Sequence, residues 1–277
     1  MSIELAPRNP YLLSIESPII AAAGSLGYGI EVARQLGLAA RPAAHGLGAL
    51  VTRSTSLHPH RSRPLPGIVE TPAGLLYRGM DHNPGARVVR ERFAPVWVGW
   101  NLPVVVSIWG ESAQDAAAVA AQFEGIEGVM GIELPLAPHA ALTPDVAGRL
   151  VAAVRRATLL PLIVKLPGQA PDIVALAHAV VEQGADTLAM IDGIVAAALL
   201  PDGSRIEGRL CGPAIAPQAL ALVAAVCAEV RVPVIGIGGV FDAASARAML
   251  AAGATAVGLG SGLLNDLRLA AHIHAGL

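Results

Sequence analysis

A single lysine stands near the end of an apolar run, in the segment PLIVKLPG at residues 161–168. The chain has 19 lysine and arginine residues, and Lys165 is the only lysine among them. Lysine is a compact point charge, and the planar fork of arginine is not equivalent to it at close quarters. Position 165 is therefore predicted to need a compact point charge, with chance retention of one lysine as the alternative.

Two glycine-rich turns follow apolar runs near the end of the chain, in VIGIGG at residues 234–239 and VGLGS at residues 257–261. Glycine lets the backbone approach a ligand closely and turn its N–H groups toward it. In α/β barrels, the loops after the last two strands often form a phosphate site. The two turns together favour a phosphate site over simple tight turns between strand and helix.

The elements that must position these residues are short apolar runs separated by helical patterns. The runs lack alternation of polar and apolar residues, which is typical of parallel strands buried on both faces. Helical patterns lie between most of them, at residues 112–123, 144–157, 172–183 and 242–252. This alternation predicts an α/β fold, a (β/α)8 TIM barrel. The predicted strands are residues 19–23, 49–53, 104–108, 131–134, 162–166, 187–191, 234–237 and 256–259.

Two long stretches without a regular pattern interrupt this alternation, at residues 54–102 and 192–215. We expect both to form long loops at the mouth of the barrel, the first followed by a short helix, because long loops in compact domains are usually functional. No composition change marks a domain boundary, so residues 1–277 are predicted to form one domain. A Rossmann fold is disfavoured because Gly24, Gly27 and Gly29 have the wrong spacing for its fingerprint.

The overall composition excludes several classes of function. The net charge is −2, so no basic surface suggests nucleic acid or an anionic membrane as partner. The longest uncharged run, residues 210–228, contains glycine and proline and is a poor membrane span. The first ten residues include Glu4 and Arg8, so we expect no secretory signal. Two cysteines fit a reducing compartment, and a cytoplasmic location is expected.

The paired histidines of HPH (His58 and His60) and HIH (His272 and His274) are the most suggestive pattern for a metal. Neither pair has an acid or cysteine pair at ligand spacing, so solvated histidines are the favoured interpretation and no metal site is predicted.

Seven segments in order along the chain resemble the dihydroorotate dehydrogenase family, in particular its soluble class 1 enzymes. The resemblance implies an FMN-binding barrel that oxidises dihydroorotate to orotate. It also implies a homodimer, and one branch of the family pairs with an FAD/iron–sulfur subunit. The segments are SPIIAAAGSLGYG, LVTRSTSLHP, ETPAGLLYRGMDHNPG, PLIVKLPG, GRLCGPAIAP, VIGIGG and VGLGS.

The resemblance assigns most of the cofactor-facing positions. It puts Lys165 beside the N1/O2 edge of the flavin, where a fixed cation stabilises the reduced form. The phosphate turns correspond to Gly238, Gly239, Gly260 and Ser261. The remaining expected flavin contacts are Ala22, Ala23, Gly24, Ser54, Ser107 and Gly212.

The substrate side departs from the family pattern. The segment IELPLAPHAA places Ala137 where class 1 enzymes have their cysteine base, and alanine cannot accept a proton. His139 is the candidate replacement base, with a surface loop histidine as the alternative. Arg53 occupies the position of an active-site lysine of the family. Tyr77 and Asp192 occupy the positions of two of its asparagines. The predicted substrate-facing residues are Arg53, Tyr77, Asn83 and Asp192.

Two hypotheses follow from this combination. The first is an FMN-dependent oxidoreductase that transfers hydride between a C–C bond of a small substrate and flavin N5, with dihydroorotate as the family default. The second is a flavin-binding or degenerate barrel without turnover that has a binding or regulatory role. An FMN spectrum, followed by photoreduction and a screen of acceptors, distinguishes them. Asp192 has a further alternative, as an ion-pair partner of Arg53 or Lys165.

Overall fold

The computed structural model describes residues 2–40, 42–61, 67–78, 82–136 and 142–277. Its β-strands form a two-stranded hairpin, a closed barrel and a four-stranded sheet. In chain order the strands are β1 (Ile3–Glu4), β2 (Ser14–Ile15), β3 (Ile19–Ala21), β4 (Ala49–Val51), β5 (Ile68–Thr71), β6 (Gly74–Tyr77), β7 (Val104–Ser107), β8 (Gly131–Pro135), β9 (Leu162–Leu166), β10 (Thr187–Met190), β11 (Ile194–Leu199), β12 (Arg205–Cys211), β13 (Val234–Ile237) and β14 (Ala256–Leu259).

The barrel closes in the order β3-β4-β7-β8-β9-β10-β13-β14, with β14 paired to β3 and every neighbouring pair parallel. Each of its strands coincides with a predicted apolar run, so the prediction of a (β/α)8 barrel is confirmed. The first two strands end two residues earlier than predicted, at Ala21 and Val51. The apolar run there continues into the turn that leads to the mouth of the barrel.

Helices connect the barrel strands, and side-chain caps start several of them. Ser112, Thr143, Asp172 and Asp242 each accept a hydrogen bond from a backbone N–H of the first turn. A π-helical segment (Val89–Phe93) continues α3 into α4, and a 3₁₀ turn (Pro213–Ile215) leads into α8. The helices are α1 (Ala33–Leu36), α2 (Pro42–His45), α3 (Ala86–Val88), α4 (Ala94–Trp97), α5 (Ala113–Ala121), α6 (Pro144–Ala157), α7 (Ile173–Glu182), α8 (Ala216–Glu229), α9 (Ala243–Ala251), α10 (Ser261–Asn265) and α11 (Leu269–Gly276).

Alternation along β8 and β9 decides which side chains enter the barrel. Ile132 and Leu134 pack in the core between the barrel and its helices. Glu133, between them on β8, therefore faces the barrel interior. On β9, Ile163 belongs to the separate apolar cluster inside the barrel, and Lys165, two residues later, shares its face. The two charged residues thus sit on the inner wall, near the carboxyl ends of neighbouring strands.

The β1–β2 hairpin covers the amino-terminal end of the barrel. Leu5, Leu13 and Ile15 are fully buried and join the same apolar cluster as the lower residues of the inner wall. The carboxylate of Glu4 accepts hydrogen bonds from the backbone N–H of Leu13 at 2.6 Å and of Ala6 at 2.8 Å, which fixes the turn. The hairpin therefore makes the barrel open at its carboxyl end alone.

The prediction of long loops over residues 54–102 and 192–215 is wrong in part. Both stretches contain hairpins, and the hairpins join in an antiparallel sheet of order β11-β12-β6-β5 above the barrel mouth. Tyr77 pairs with Arg209 across more than a hundred residues, and no local pattern encodes such a pairing. Close backbone approach at the join needs glycine, since a Cβ on Gly74 would lie 2.0 Å from the carbonyl oxygen of Cys211.

Candidate active site

The carboxyl ends of the barrel strands and the four-stranded sheet enclose a cavity of about 530 Å³, here called the wide compartment. Such a volume is in the usual range for a small-molecule site. Its walls combine turns after β3 and β4, the inner faces of β8 and β9, and the under-side of β6 and β12. The lining residues are Ala23, Gly24, Arg53, Ser54, Tyr77, Arg78, Asn83, Trp109, Glu133, Pro135, Lys165, Asp192, Val195, Glu207, Gly208 and Arg209.

A second cavity of about 110 Å³, the narrow compartment, lies against the glycine turns that follow β13 and β14. It is lined mainly by glycine and apolar residues, including Gly212, Gly238, Gly239, Gly260 and Ser261. The two compartments share Ala23, Gly24, Tyr77, Lys165 and Asp192. They therefore form one groove, with Lys165 at the junction of its polar and glycine-rich ends.

Lys165 is 7% exposed and its ammonium nitrogen lies 3.2 Å from Oδ1 of Asp192. The other carboxylate oxygen of Asp192 lies 3.7 Å from Nε of Arg209 on β12. Burial opposes both charges, but the attraction of Lys165 and Arg209 holds the pKa of Asp192 below its usual value. Burial lowers the pKa of Lys165, and the attraction of the nearby Asp192 carboxylate outweighs it and raises that pKa. Both members of the pair are thus charged at neutral pH.

Glu133 is a site residue that the sequence prediction missed. Its side chain is buried, lines the wide compartment, and its Oε1 atom has no hydrogen-bond partner among the described residues. Burial raises the pKa of Glu133, Lys165 lowers it and Asp192 raises it again, with a net increase. The sequence signal that could have identified Glu133 is a charged residue inside an apolar strand, in GIELP at residues 131–135.

The two glycine turns differ in the reason why glycine is needed at each position. Gly239 has φ +71°, and a Cβ there would lie 2.4 Å from the Cβ of Ala216, the first residue of α8. Gly238 has φ +124° and a Cβ would lie 2.6 Å from the Cβ of Ala219. These two glycines are required by packing against α8. A Cβ on Gly260, by contrast, would meet no atom within 4 Å and would project into open space beside the narrow compartment.

The structure brings most of the predicted site residues together. All predicted flavin and substrate contacts except Ser107 line one compartment or both. Ser107 is fully buried and lines neither compartment, and its hydroxyl lies 2.9 Å from that of Ser54, which does line the wide compartment. His139, the predicted base, and Ala137 lie outside the described residues.

Two predicted substrate residues also have structural contacts. The side-chain oxygen of Asn83 accepts hydrogen bonds from the backbone N–H of Ser56 at 3.2 Å and of Gly85 at 3.0 Å, which holds the loop together. Arg53 donates to the backbone carbonyl of His82 at 3.3 Å. Asp192 meets Lys165 and Arg209, so the alternative of an ion pair with Lys165 is realised and no ion pair joins it to Arg53 among the described residues.

Arg209 and Cys211 reach the groove from β12, a segment that the sequence predicts to be part of a long loop. Cys211 lines the narrow compartment, and burial together with Asp192 raises the pKa of its thiol to about 11. The thiol is therefore neutral near pH 7. Across the described residues, no group of three or more His, Cys, Asp or Glu side chains is placed to hold a metal ion. In the same part of the chain, no helix is both long and apolar enough to cross a membrane.

A model of the dihydroorotate dehydrogenase family matches residues 11–277. The chain belongs to this family. Members of the dihydroorotate dehydrogenase family are oxidoreductases acting on CH–CH groups, and active sites of barrels of this type usually lie at the carboxyl ends of the strands, where the groove opens.

Curated relatives cover most of the chain. Proteins of Citrifermentans bemidjiense (34% identical over 267 residues, 92% of this chain and 86% of the relative) and Pelobacter propionicus (36% over 262 residues, 90% and 84%) are two of them. A third, of Geotalea uraniireducens, is 33% identical over 290 residues, 100% of this chain and 92% of the relative. Each is named dihydroorotate dehydrogenase B (NAD(+)), catalytic subunit.

Proposed function

We propose that this member of the dihydroorotate dehydrogenase family is an FMN-dependent oxidoreductase that exchanges hydride with a C–C bond of a small substrate. The observation that carries the proposal is the position of Lys165, which lines both the glycine-rich compartment and the polar one. Glycine turns at one end, a lysine in the middle and a wide polar cavity at the other end match the parts of a flavin site, where they would hold the phosphate, the flavin ring and the substrate.

The backbone turns and side chains that line the groove are compatible with bound FMN. The open space beside Gly260 would admit a phosphate, and the backbone turns there present no side chain to exclude it. Ser261 adds a hydroxyl at the same end of the groove. The wide compartment is large enough for a ring system and a small substrate together, and Ala23 and Gly24 keep its wall close to flat.

A bound flavin supplies a two-electron acceptor for hydride, and the protein supplies position and charge. Lys165 holds a positive charge at the strand end, where it stabilises negative charge that arrives with the electrons. Arg53 and Tyr77 bound the wide compartment and would orient the substrate. The sheet formed by β5, β6, β11 and β12 shields the groove from water.

The substrate side supports slow oxidation of dihydroorotate at most. Ala137 supplies no base where the family has its cysteine, and Asp192 puts a carboxylate where the family has an amide. An amide both donates and accepts hydrogen bonds, whereas a carboxylate only accepts them. A substrate other than dihydroorotate, reduced or oxidised at a C–C bond, is therefore part of the proposal.

A second candidate function is a flavin-binding barrel without turnover, and Ala137 is the observation in its favour. The two candidates differ in whether reduced flavin returns its electrons to a substrate. Photoreduction of the holoprotein, followed by a screen of C=C acceptors under anaerobic conditions, separates them. Reoxidation by one acceptor supports an enzyme, and failure with all of them supports a binding protein.

We also propose a homodimer in the cytoplasm and an electron-transfer subunit with FAD and an iron–sulfur cluster as partner. The relatives are named catalytic subunits, which supports a partner of this kind. Co-purification of the tagged chain with its genomic neighbours, together with size-exclusion chromatography, tests both assemblies.

The direct test adds FMN to the purified chain and then mixes the holoprotein with dihydroorotate in a stopped-flow instrument. We expect a flavin absorbance band, and reduction slower than in a cysteine-containing relative by roughly 10²–10⁴-fold, the contribution of a general base. Ala137→Cys should restore little, because the asparagines that orient the substrate are still absent at Tyr77 and Asp192. A chain that never binds FMN contradicts the proposal, and reduction within milliseconds contradicts the account of the substrate side.

A further inference from the structure

The inner wall of the groove brings two carboxyl groups to one lysine. Glu133 on β8 and Asp192 after β10 flank Lys165 on β9, the strand between β8 and β10 in the barrel. The lysine can form a close ion pair with one of them, and the structure shows which. Asp192 lies 3.2 Å from the ammonium, whereas no ion pair joins Glu133 to any cation among the described residues.

Asp192 has the better environment for a negative charge. Its second oxygen faces Arg209 at 3.7 Å, and its side chain keeps 30% of its surface exposed. Glu133 is 1% exposed, and the polar groups around it are Lys165 on β9, Ser107 on β7 and Asp192 after β10. A second ionised carboxylate in that setting would be buried next to a like charge, which is costly.

The unpartnered oxygen of Glu133 is the second observation. Buried side-chain oxygens in proteins almost always have a hydrogen-bond partner, so an orphaned one needs an explanation. Oε1 of Glu133 has none within the described part of the chain, and the residue lines the wide compartment. A ligand in that compartment is the available partner.

We propose that Lys165 forms its close ion pair with Asp192 and that Glu133 is a neutral carboxylic acid whose O–H donates a hydrogen bond to an acceptor atom of the bound ligand. A ligand carbonyl or ring nitrogen is the chemical group that such a donor recognises. Glu133 is therefore a binding residue of the groove. Asp192 is a positioning residue, because its ion pair with Lys165 keeps the proton on Glu133. The identity of the ligand as FMN rests on the proposed function, and the protonation of Glu133 does not.

Infrared spectroscopy of the purified full chain without FMN tests the proposal, because a protonated carboxyl has a C=O stretch distinct from that of a carboxylate. Near neutral pH we expect this band in the wild type and its loss in Glu133→Gln. Glu207→Gln is the matched control, since Glu207 lines the same compartment but pairs with Arg205 on the exposed side of β12. In Asp192→Asn the band should weaken, because Lys165 is then free to compensate an ionised Glu133.

Each result decides the proposal. No protonated-carboxyl band in the wild type, or an equal band in Glu133→Gln, overturns it. Glutamine mimics a neutral acid, so a Glu133→Gln chain that does not fold while Glu207→Gln folds also overturns it. Addition of FMN tests whether Glu133 donates a hydrogen bond to the ligand. The protonated-carboxyl band should shift when FMN binds, and a band that is unchanged in FMN-loaded protein contradicts this hydrogen bond. A chain that shows the band but binds no FMN contradicts the proposed function alone.

Discussion

At the scale of single residues, the charge balance of the groove depends on one lysine that meets two acids. An ammonium at this point reaches Asp192 at 3.2 Å from the end of a buried strand. The planar fork of a guanidinium is not equivalent to the compact ammonium of Lys165 in this buried position.

Removal of that lysine should destabilise the fold. In Lys165→Met, Asp192 loses its closest cation within a largely buried site, and breaking one side of a buried ion pair typically costs roughly 3–5 kcal/mol. We expect a loss of this order in the free energy of unfolding, measured with urea. The double variant Lys165→Met/Asp192→Asn should recover part of it. A single variant as stable as the wild type would show that the pair contributes nothing.

The raised pKa of Glu133 predicts how the stability of the protein changes with pH. Its pKa in the folded state is raised above the ordinary value of 4.5, so the folded protein binds the proton more tightly than the unfolded chain. Its contribution to stability is complete below pH 4.5 and is lost as the pH rises through the raised value. Melting temperatures measured across this window should fall with increasing pH in the wild type. The decline should be smaller in Glu133→Gln and unchanged in Glu207→Gln.

At the scale of elements, the two glycine turns are alike in sequence but differ in what surrounds them. Gly239 packs against the start of α8, whereas Gly260 faces open space. Packing therefore explains the first glycine, whereas no neighbouring atom requires glycine at the second position, where a bound phosphate would. A matched pair of alanine variants separates packing from ligand binding.

Gly239→Ala should lower the free energy of unfolding by roughly 1–3 kcal/mol, the usual effect of overpacking, because its methyl group would collide with Ala216. Gly260→Ala should lose less stability than Gly239→Ala, since its methyl group meets no atom, but it should weaken FMN binding. Calorimetric unfolding and fluorescence titration with FMN measure the two quantities. Gly260→Ala protein that binds FMN like the wild type would remove Gly260 from the phosphate site.

The elements that the sequence predicted are those whose signal is local. Each barrel strand is a largely apolar run, and the four helices predicted from the sequence each begin at a capping side chain, so both could be recognised in place. The sheet over the mouth could not, because β11 reads IVAAAL with apolar residues at every position and its sheet depends on the remote pairing of Tyr77 with Arg209. Arg209 was missed for the same reason, while Glu133 was visible as an acid inside a strand.

At the scale of the whole molecule, the groove and the β1–β2 hairpin occupy opposite ends of the barrel. The hairpin closes the amino-terminal end with Leu5, Leu13 and Ile15, and the ligand groove opens at the carboxyl end. Stability and binding are therefore separated in space, as is usual for this fold.

Leu5→Ala tests this separation. Leu5 is fully buried in the interior cluster, so its truncation should cost roughly 2–5 kcal/mol of unfolding free energy. Leu12→Ala, in the same hairpin but 49% exposed, is the control and should change stability by less than about 0.5 kcal/mol. FMN affinity, titrated under conditions where both variants are folded, should match the wild type. A weaker affinity in Leu5→Ala alone would show that the two ends are coupled.

The hairpin beneath the barrel also has a consequence for biosynthesis. Its apolar residues share one cluster with Ile235 and Ala256, so some of its partners lie more than two hundred residues later in the chain. At the usual rate of translation, roughly 5–20 residues per second, the hairpin waits about ten seconds or more for them. Throughout that interval the apolar side chains of the hairpin lack part of their native contacts. The hairpin is thus synthesised long before the last of its packing partners.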